Sequence, residues 1–174
     1  MHAFLDESQR RATYLLACAQ VPDADMANVR RTLRACRLPG QRRLHFVDER
    51  DQRRRQLLAV FAQLPIEFVV VAVPLGSRRE AEARRLALQA IIGKIADDTD
   101  RLIIESRQGR DLEDRRAIAT SLKHTRTTLH YAHRQPHDEP GLWLPDGVAW
   151  AVGAGGRWLK HLDGATVCIE RIDP

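Results

Sequence analysis

Residues 66–73 form a nearly continuous run of β-branched and other apolar residues, Ile-Glu-Phe-Val-Val-Val-Ala-Val. A strand with one face in the core alternates apolar and polar side chains, whereas a strand covered on both faces is apolar along most of its length. The run therefore predicts a layered α/β protein whose sheet carries helices on both faces. We expect this strand to lie at the centre of the sheet.

The spacing of apolar residues in the rest of the chain predicts alternating strands and helices. Strands are predicted at residues 3–6, 13–21, 66–73, 101–106, 128–133 and 166–172. Helices are predicted at residues 22–36, 49–63, 77–97 and 111–124, with a final helix that begins near Pro145. The first strand is predicted to end at Asp6-Glu7 and to form an antiparallel hairpin with the second. The later alternation predicts parallel strands joined by right-handed crossovers, so we expect a mixed sheet.

The length of 174 residues suits a single domain that spans residues 1–174. Residues 22–64 are interpreted as a helical insertion that packs on the core through its own apolar faces. No apolar stretch is long enough to cross a bilayer, and the N-terminus lacks the pattern of a secretory signal. We therefore expect a cytoplasmic protein with no membrane contact. Cys18, Cys36 and Cys168 are widely separated, so we expect buried thiols and no structural zinc.

Basic residues are numerous and clustered. The formal net charge is +5 and the isoelectric point about 9.6, which favours attraction to a polyanion such as nucleic acid. The cluster comprises Arg30, Arg31, Arg34, Arg37, Arg42, Arg43, Arg50, Arg53, Arg54 and Arg55. The residues that we expect to contact nucleic acid are Arg30, Arg34, Arg42, Arg43 and Arg54. The alternative is that the cluster is a solvated face without a ligand.

Three carboxylates are considered as candidate site residues: Asp6, Glu105 and Asp146. Glu105 follows the apolar run 102–104, and open α/β sheets bind ligands at the carboxyl ends of their strands. Each acid also has a structural explanation. Asp6 could begin a turn, Glu105 could face solvent, and Asp146 could complement the dipole at the start of a helix.

The order of predicted strands and helices resembles the ribonuclease H-like superfamily when residues 22–64 are treated as an insertion between the second and third strands. That superfamily holds divalent metal with acids in the first strand, at the end of the fourth strand and in the final helix. By this resemblance Asp6, Glu105 and Asp146 are catalytic metal ligands for Mg²⁺ or Mn²⁺, which prefer hard oxygen donors.

Three short segments resemble, more narrowly, an uncharacterised bacterial family of domains of unknown function that is assigned to the same fold. They are Phe-Leu-Asp-Glu-Ser at 4–8, Leu-His-Phe at 44–46 and Pro-Asp-Gly-Val-Ala-Trp at 145–150. The resemblance implies a metal-dependent nuclease or related phosphodiester hydrolase that acts on RNA or DNA. His45 could serve this site as a ligand or proton carrier, or could be a packed histidine between apolar neighbours.

One departure from the superfamily pattern leaves an alternative open. The helix after the third strand usually supplies a further glutamate, and here that helix offers Glu80 and Glu82 without a spacing that selects either. The alternative is a non-catalytic ribonuclease H-like module that binds nucleic acid or a protein partner. An enzyme that uses paired carboxylates on a glycoside is a third hypothesis, for which the sequence offers no sugar-stacking surface.

Overall fold

A six-stranded mixed sheet organises the chain, and helices cover both of its faces. The computed structural model describes residues 1–107, 109–123 and 128–172. The strands are β1 (His2–Arg10), β2 (Thr13–Val21), β3 (Glu67–Pro74), β4 (Arg101–Glu105), β5 (His130–Arg134) and β6 (Thr166–Arg171). The helices are α1 (Met26–Ala35), α2 (Asp51–Phe61), α3 (Glu80–Ile95), α4 (Asp111–Leu122) and α5 (Trp143–Ala154).

The strand order across the sheet is β5-β4-β1-β2-β3-β6. The neighbours β1 and β2, and β2 and β3, are antiparallel, whereas β1–β4, β4–β5 and β3–β6 are parallel. The predictions of a mixed sheet and of an antiparallel opening hairpin are therefore confirmed. Helices α1 and α2 lie between β2 and β3 in the chain, as expected. That residues 22–64 are an insertion into a single domain of residues 1–174 stays a prediction.

Three expectations differ from the structure. The run 66–73 forms β3, which is buried on both faces but lies beside the edge strand β6, because helices rather than further strands provide its cover. Strand β1 continues to Arg10, so Asp6 lies within the strand opposite Ala17 and does not begin a turn. Helix α5 begins two residues before Pro145, whose missing N–H costs nothing in a first helical turn. The predicted helix end at residue 124 lies outside the described residues.

The two faces of the sheet bury separate apolar clusters. Side chains alternate along β1, so Phe4 faces the cluster that contains α1, α2 and α5, while Leu5 faces the cluster formed with α3 and α4. The cysteines only partly match the expectation of buried thiols, because Cys18 is buried, Cys36 is partly buried and Cys168 is exposed. None of the helices in the described ranges has the length and apolarity needed to span a membrane.

Gly147 allows α5 to approach two aromatic rings, that of Phe46 in the segment between α1 and α2 and that of Phe61 in α2. An added Cβ at this position would lie 2.5 Å from Cε2 of Phe46 and 2.8 Å from Cε2 of Phe61. Both phenylalanines are fully buried, and their ring centroids are 5.8 Å apart. A closely packed core has little room to relax, so a glycine at this position is required by the packing.

We predict that Gly147→Ala destabilises the protein by about 1–3 kcal/mol, because the added methyl group overpacks the core against Phe46 and Phe61. Gly93→Ala in α3 is the matched control, since a Cβ there meets no atom within 4 Å. The control should stabilise by about 0.5–1 kcal/mol through helix propensity alone. Urea unfolding of the two variants measures both effects. Equal stability of the two variants would contradict the packing argument.

Candidate functional site

The parallel pairing of β1 with β4 brings two of the acids together. Phe4 pairs with Ile103 and Leu5 with Ile104, so Asp6 and Glu105 follow on neighbouring strands and point to the same face of the sheet. Asp6 is buried and accepts a hydrogen bond from the backbone N–H of Glu7 at 2.7 Å. The side chain of Glu105 is 23% exposed. The pair therefore has one carboxyl group within the protein and one at the rim.

The third acid comes from α5, which packs on β1 and β2 on this same face. Asp146 lies in the first turn of the helix and is partly buried. Its Oδ2 accepts a hydrogen bond of 2.9 Å from the backbone N–H of Phe46. The backbone carbonyl of Phe46 in turn accepts a hydrogen bond of 2.7 Å from Nε of Arg54. Both backbone polar groups of Phe46 are therefore hydrogen-bonded to side chains of helices.

The carboxyl groups are close enough to change one another's ionisation. Burial raises the pKa of Asp6 well above its usual range, and the negative charges of Glu105 and Asp146 and a hydrogen bond with the Glu105 carboxyl raise it further. Burial also raises the pKa of Asp146, to about 6, although the hydrogen bond from Phe46 opposes the shift. The structure thus brings Asp6, Glu105 and Asp146 into one electrostatic cluster, and their role as catalytic metal ligands stays a prediction.

Glu7 does not join this cluster, because it points to the opposite face of β1. Its Oε2 accepts a hydrogen bond of 2.6 Å from Nη1 of Arg84, and its Oε1 lies 2.7 Å from Nε of Arg107. Arg84 is buried and also donates two bonds of 2.7 Å to Asp114. A buried charge is tolerated when it is paired in this way. Adjacent acids on one strand therefore have opposite environments.

The glutamates of α3 do not supply the further ligand of the superfamily pattern. Glu80 accepts hydrogen bonds from Arg107 at 2.9 Å and from Arg110 at 3.1 Å. These contacts place it with Glu7 on the face opposite Asp6. Glu82 is exposed between α3 and α4, the helices that cover this same opposite face of the sheet. The acid cluster contains neither residue.

Two side chains of the segment between α1 and α2 reach the edge of the cluster. Arg43 Nη1 lies 3.6 Å from Oε1 of Glu105. His45 is near enough to oppose the raised pKa of Asp146 electrostatically, and its Nδ1 lies 2.9 Å from Oδ2 of Asp48. The side chain of His45 is partly exposed, whereas its neighbours Leu44 and Phe46 are buried and anchor the backbone on either side of it.

The other arginines expected to contact nucleic acid have different environments. Arg30 forms a two-pronged pair with Glu139, at 3.0 and 2.6 Å. Arg54 donates to two backbone carbonyls and lies 4.3 Å from the ring centroid of Trp150. Both therefore support the fold. Arg34 and Arg42 are exposed and form no ion pair within the described part of the chain, and the nucleic-acid role of all five arginines stays a prediction.

The chemistry of the acid cluster suits a hard divalent cation. Its donors are carboxylate oxygens, and their mutual repulsion in a buried setting would be relieved by positive charge. Within residues 1–107, 109–123 and 128–172, however, no group of three or more His, Cys, Asp or Glu side chains already stands in the arrangement of a metal cage. The carboxyl group of Glu105 contacts Asp6 through a hydrogen bond and also lies 3.6 Å from Nη1 of Arg43.

The architecture is that of the ribonuclease H-like fold. It is similar to that of a chain in the PCNA:RNase HII complex from Archaeoglobus fulgidus, with a TM-score of 0.62 and 14% sequence identity over 94% of this chain and 75% of that chain. The ribonuclease H2 from Pyrococcus horikoshii OT3 is also similar, with a TM-score of 0.62 and 13% identity over 93% of this chain and 75% of that chain. At these identities the similarity concerns the fold.

No protein-family model matches the chain, and neither does any curated protein sequence at a significant level. The expected ribonuclease H-like fold is thus confirmed by structural similarity, whereas the narrower resemblance to a bacterial family with an N-terminal Asp-Glu-Ser motif stays a prediction. Sequence reasoning missed the backbone N–H of Phe46 as a partner of Asp146. The only sequence signal for it was the apolar character of Leu44 and Phe46 on either side of His45.

Replacement of Asp146 should change how stability depends on pH. The pKa of Asp146 is about 6 in the folded state, against an ordinary value of 3.8 in the unfolded chain. As pH rises from about 4 through 6, the unfolded chain loses this proton before the folded protein does, so the stability of the metal-free fold falls. Asn at this position keeps an acceptor for Phe46 and removes the charge. We expect Asp146→Asn in EDTA to be about 1–2 kcal/mol more stable than wild type at pH 7, after allowance for partial exposure.

The gain should vanish near pH 4, where both proteins are neutral at this position. Asp163→Asn is the control, because Asp163 is exposed and forms no ion pair in the described ranges. Chemical denaturation at pH 4, 5, 6 and 7 follows the difference between the variants, with the upper limit of the transition set by the pKa of about 6. A stability difference that does not change with pH would show that Asp146 ionises normally.

Proposed function

We propose that the chain is a divalent-metal-dependent nuclease or related phosphodiester hydrolase that acts on RNA or DNA. The observation that carries the proposal is the buried carboxyl group of Asp6, which faces Glu105 and Asp146 and no neutralising side chain that the structure records. A fold keeps such a repulsive group when it serves a function, and a cation is the ligand that repulsion between acids favours. The ribonuclease H-like fold supports the same assignment.

In this proposal Asp6, Glu105 and Asp146 hold Mg²⁺ or Mn²⁺. When bound, such ions stabilise the negative charge that develops on phosphoryl and leaving-group oxygens. Other groups of the chain orient the carboxylates that would hold these ions. The backbone N–H of Phe46 orients Asp146, and the N–H of Glu7 orients Asp6. Arg43, which pairs with Glu105 here, is placed to contact a substrate phosphate once Glu105 turns to the metal.

His45 is the candidate proton carrier. Its Nδ1 contacts Asp48, which leaves Nε2 as the ring nitrogen that can give a proton to a leaving oxygen or take one from an attacking water. The exposure of the ring is consistent with such a role, since a proton carrier must reach both substrate and solvent. His45→Gln should lower turnover while metal binding is retained.

A non-catalytic ribonuclease H-like module that binds nucleic acid or a protein partner is the second candidate. The observation that favours it is the pairing of Glu80 with Arg107 and Arg110 on the opposite face, which withholds that glutamate from the acid cluster. A cluster of three acids would then be an incomplete site. The two candidates differ in turnover, since both allow nucleic acid to bind.

The nuclease proposal predicts that the purified protein cleaves single-stranded RNA, DNA or an RNA–DNA hybrid when Mn²⁺ or Mg²⁺ is added after EDTA dialysis. Asp6→Asn and Glu105→Gln should each lower the rate by about 100-fold or more, the order seen when a group that stabilises transition-state charge is removed. Glu82→Gln, which removes an exposed acid of α3, is the matched control and should cleave like wild type. Gel analysis of end-labelled substrates measures the rates.

Calorimetric titration with Mn²⁺ supplies a readout that does not depend on turnover. Wild type and Glu82→Gln should bind the ion, and Asp6→Asn should bind it more weakly. Absence of both Mn²⁺ binding and cleavage in wild type would refute the nuclease. Salt-dependent nucleic-acid binding without turnover, unchanged in Asp6→Asn, would favour the non-catalytic module.

A further inference from the structure

A cavity of about 430 Å³ lies beside the β1–β2 hairpin, away from the acid cluster. It is lined by Arg10 and Arg11 at the hairpin, by Arg171 at the end of β6, and by the chain around Gly153 and Gly155 at the end of α5. No aspartate or glutamate is among the described residues that line it. Three guanidinium groups without a carboxylate make this cavity positively charged.

The arginines of the cavity are not neutralised by the fold. Within residues 1–107, 109–123 and 128–172, none of the three forms an ion pair. This distinguishes them from Arg30 and Arg84, whose charges are paired with carboxylates. The Cζ atom of Arg10 lies 4.7 Å from the ring centroid of Trp150, which is a cation–π contact rather than an ion pair.

The cavity and the acid cluster share one strand and one helix. Asp6 and Arg10 are four residues apart on the same face of β1, which corresponds to about 13 Å. On α5, Asp146 and Trp150 are one turn apart, and Trp150 is the ring on which Arg10 stacks. At Gly153 an added Cβ would lie 3.0 Å from Cδ of Arg10, so helix and strand are in close contact here.

A nucleic-acid strand needs positive charge near a site made of acids. The acid cluster alone repels a polyanion, and arginine recognises phosphate through two parallel hydrogen bonds. A distance of about 13 Å corresponds to about four nucleotides of a duplex, which rise by about 3.4 Å each along the helix axis, and to fewer nucleotides of an extended single strand. A strand that reaches the acids is therefore long enough to reach the arginines.

We propose that the cavity lined by Arg10, Arg11 and Arg171 binds a backbone phosphate of the RNA or DNA strand that is cleaved at the acid cluster, a few nucleotides from the scissile bond. The inference rests on the proposed function for its orientation relative to the acids. The cavity grips phosphate through guanidinium groups and carries no determinant for a particular base. It is a binding subsite, and its arginines take no part in the chemical step.

The proposal is tested by nucleic-acid binding in EDTA, where no cleavage occurs. The variant is the double substitution Arg11→Gln/Arg171→Gln, which leaves Arg10 and its contact with Trp150 in place. The matched control is Arg115→Gln/Arg116→Gln, which removes the same charge from exposed positions of α4. Fluorescence anisotropy with a labelled single-stranded RNA, and with DNA of the same sequence, gives the affinity at several salt concentrations.

We expect the cavity variant to bind about tenfold more weakly than the control variant and to lose about one unit from the slope of log affinity against log salt, since each phosphate contact contributes about 0.7 to 0.9. Equal affinity and slope in the two variants would overturn the subsite, since the arginines would then contribute net charge alone. Failure of wild type to bind either oligonucleotide at low salt would overturn it too.

The two proposals fail separately. If wild type cleaves and the cavity variant cleaves a long substrate with the KM of the control variant, the subsite is wrong and the nuclease stands. If no protein cleaves but the cavity variant loses affinity selectively, the cavity binds nucleic acid and the nuclease is wrong. Thermal unfolding of both double variants checks that the exposed substitutions leave the fold intact.

Discussion

Strand β1 lies inside the sheet with protein on both faces of its first half, so the polar side chains of Asp6 and Glu7 must find their partners within the molecule. Glu7 meets this requirement through Arg84 and Arg107. Asp6, one residue earlier and on the other face, meets Glu105 and Asp146 instead. The alternation of side chains along one strand thus separates a charge-paired structural network from a repulsive acid cluster, and the cluster is where chemistry is expected.

The acid cluster has an energetic cost in the fold itself. Burial and mutual repulsion raise the pKa values of Asp6 and Asp146, which means that ionisation of these groups lowers the stability of the fold. The surrounding structure nevertheless orients them, since backbone N–H groups of Glu7 and Phe46 each donate to one carboxylate. Close packing of Phe46 against the helix at Gly147 maintains the second of these contacts. An oriented but repulsive set of acids is suited to a cation.

Arginines in this protein divide into those that the fold uses and those that it leaves without a carboxylate. Arg30 and Arg54 belong to the arginine cluster of residues 30–55, yet Arg30 pairs with Glu139 and Arg54 donates to the backbone carbonyl of Phe46. The cavity arginines Arg10, Arg11 and Arg171 come from distant parts of the chain. Density along the sequence is therefore a poor guide to a binding surface, because a helix divides neighbouring residues among faces and a sheet assembles remote ones.

The sequence by itself determined the α/β class, the antiparallel hairpin and the three acids, because periodicity and strand-end position are local properties and the order of elements resembles a known superfamily. It did not determine that β3 would lie beside the edge strand or that β1 would continue past Asp6, since helical cover and strand pairing depend on distant residues. Only the tertiary structure decided that Glu7 and Glu80 pair with arginines while Asp6, Glu105 and Asp146 meet. Strand register and helix packing make that choice, and both arise from contacts between segments far apart in the chain.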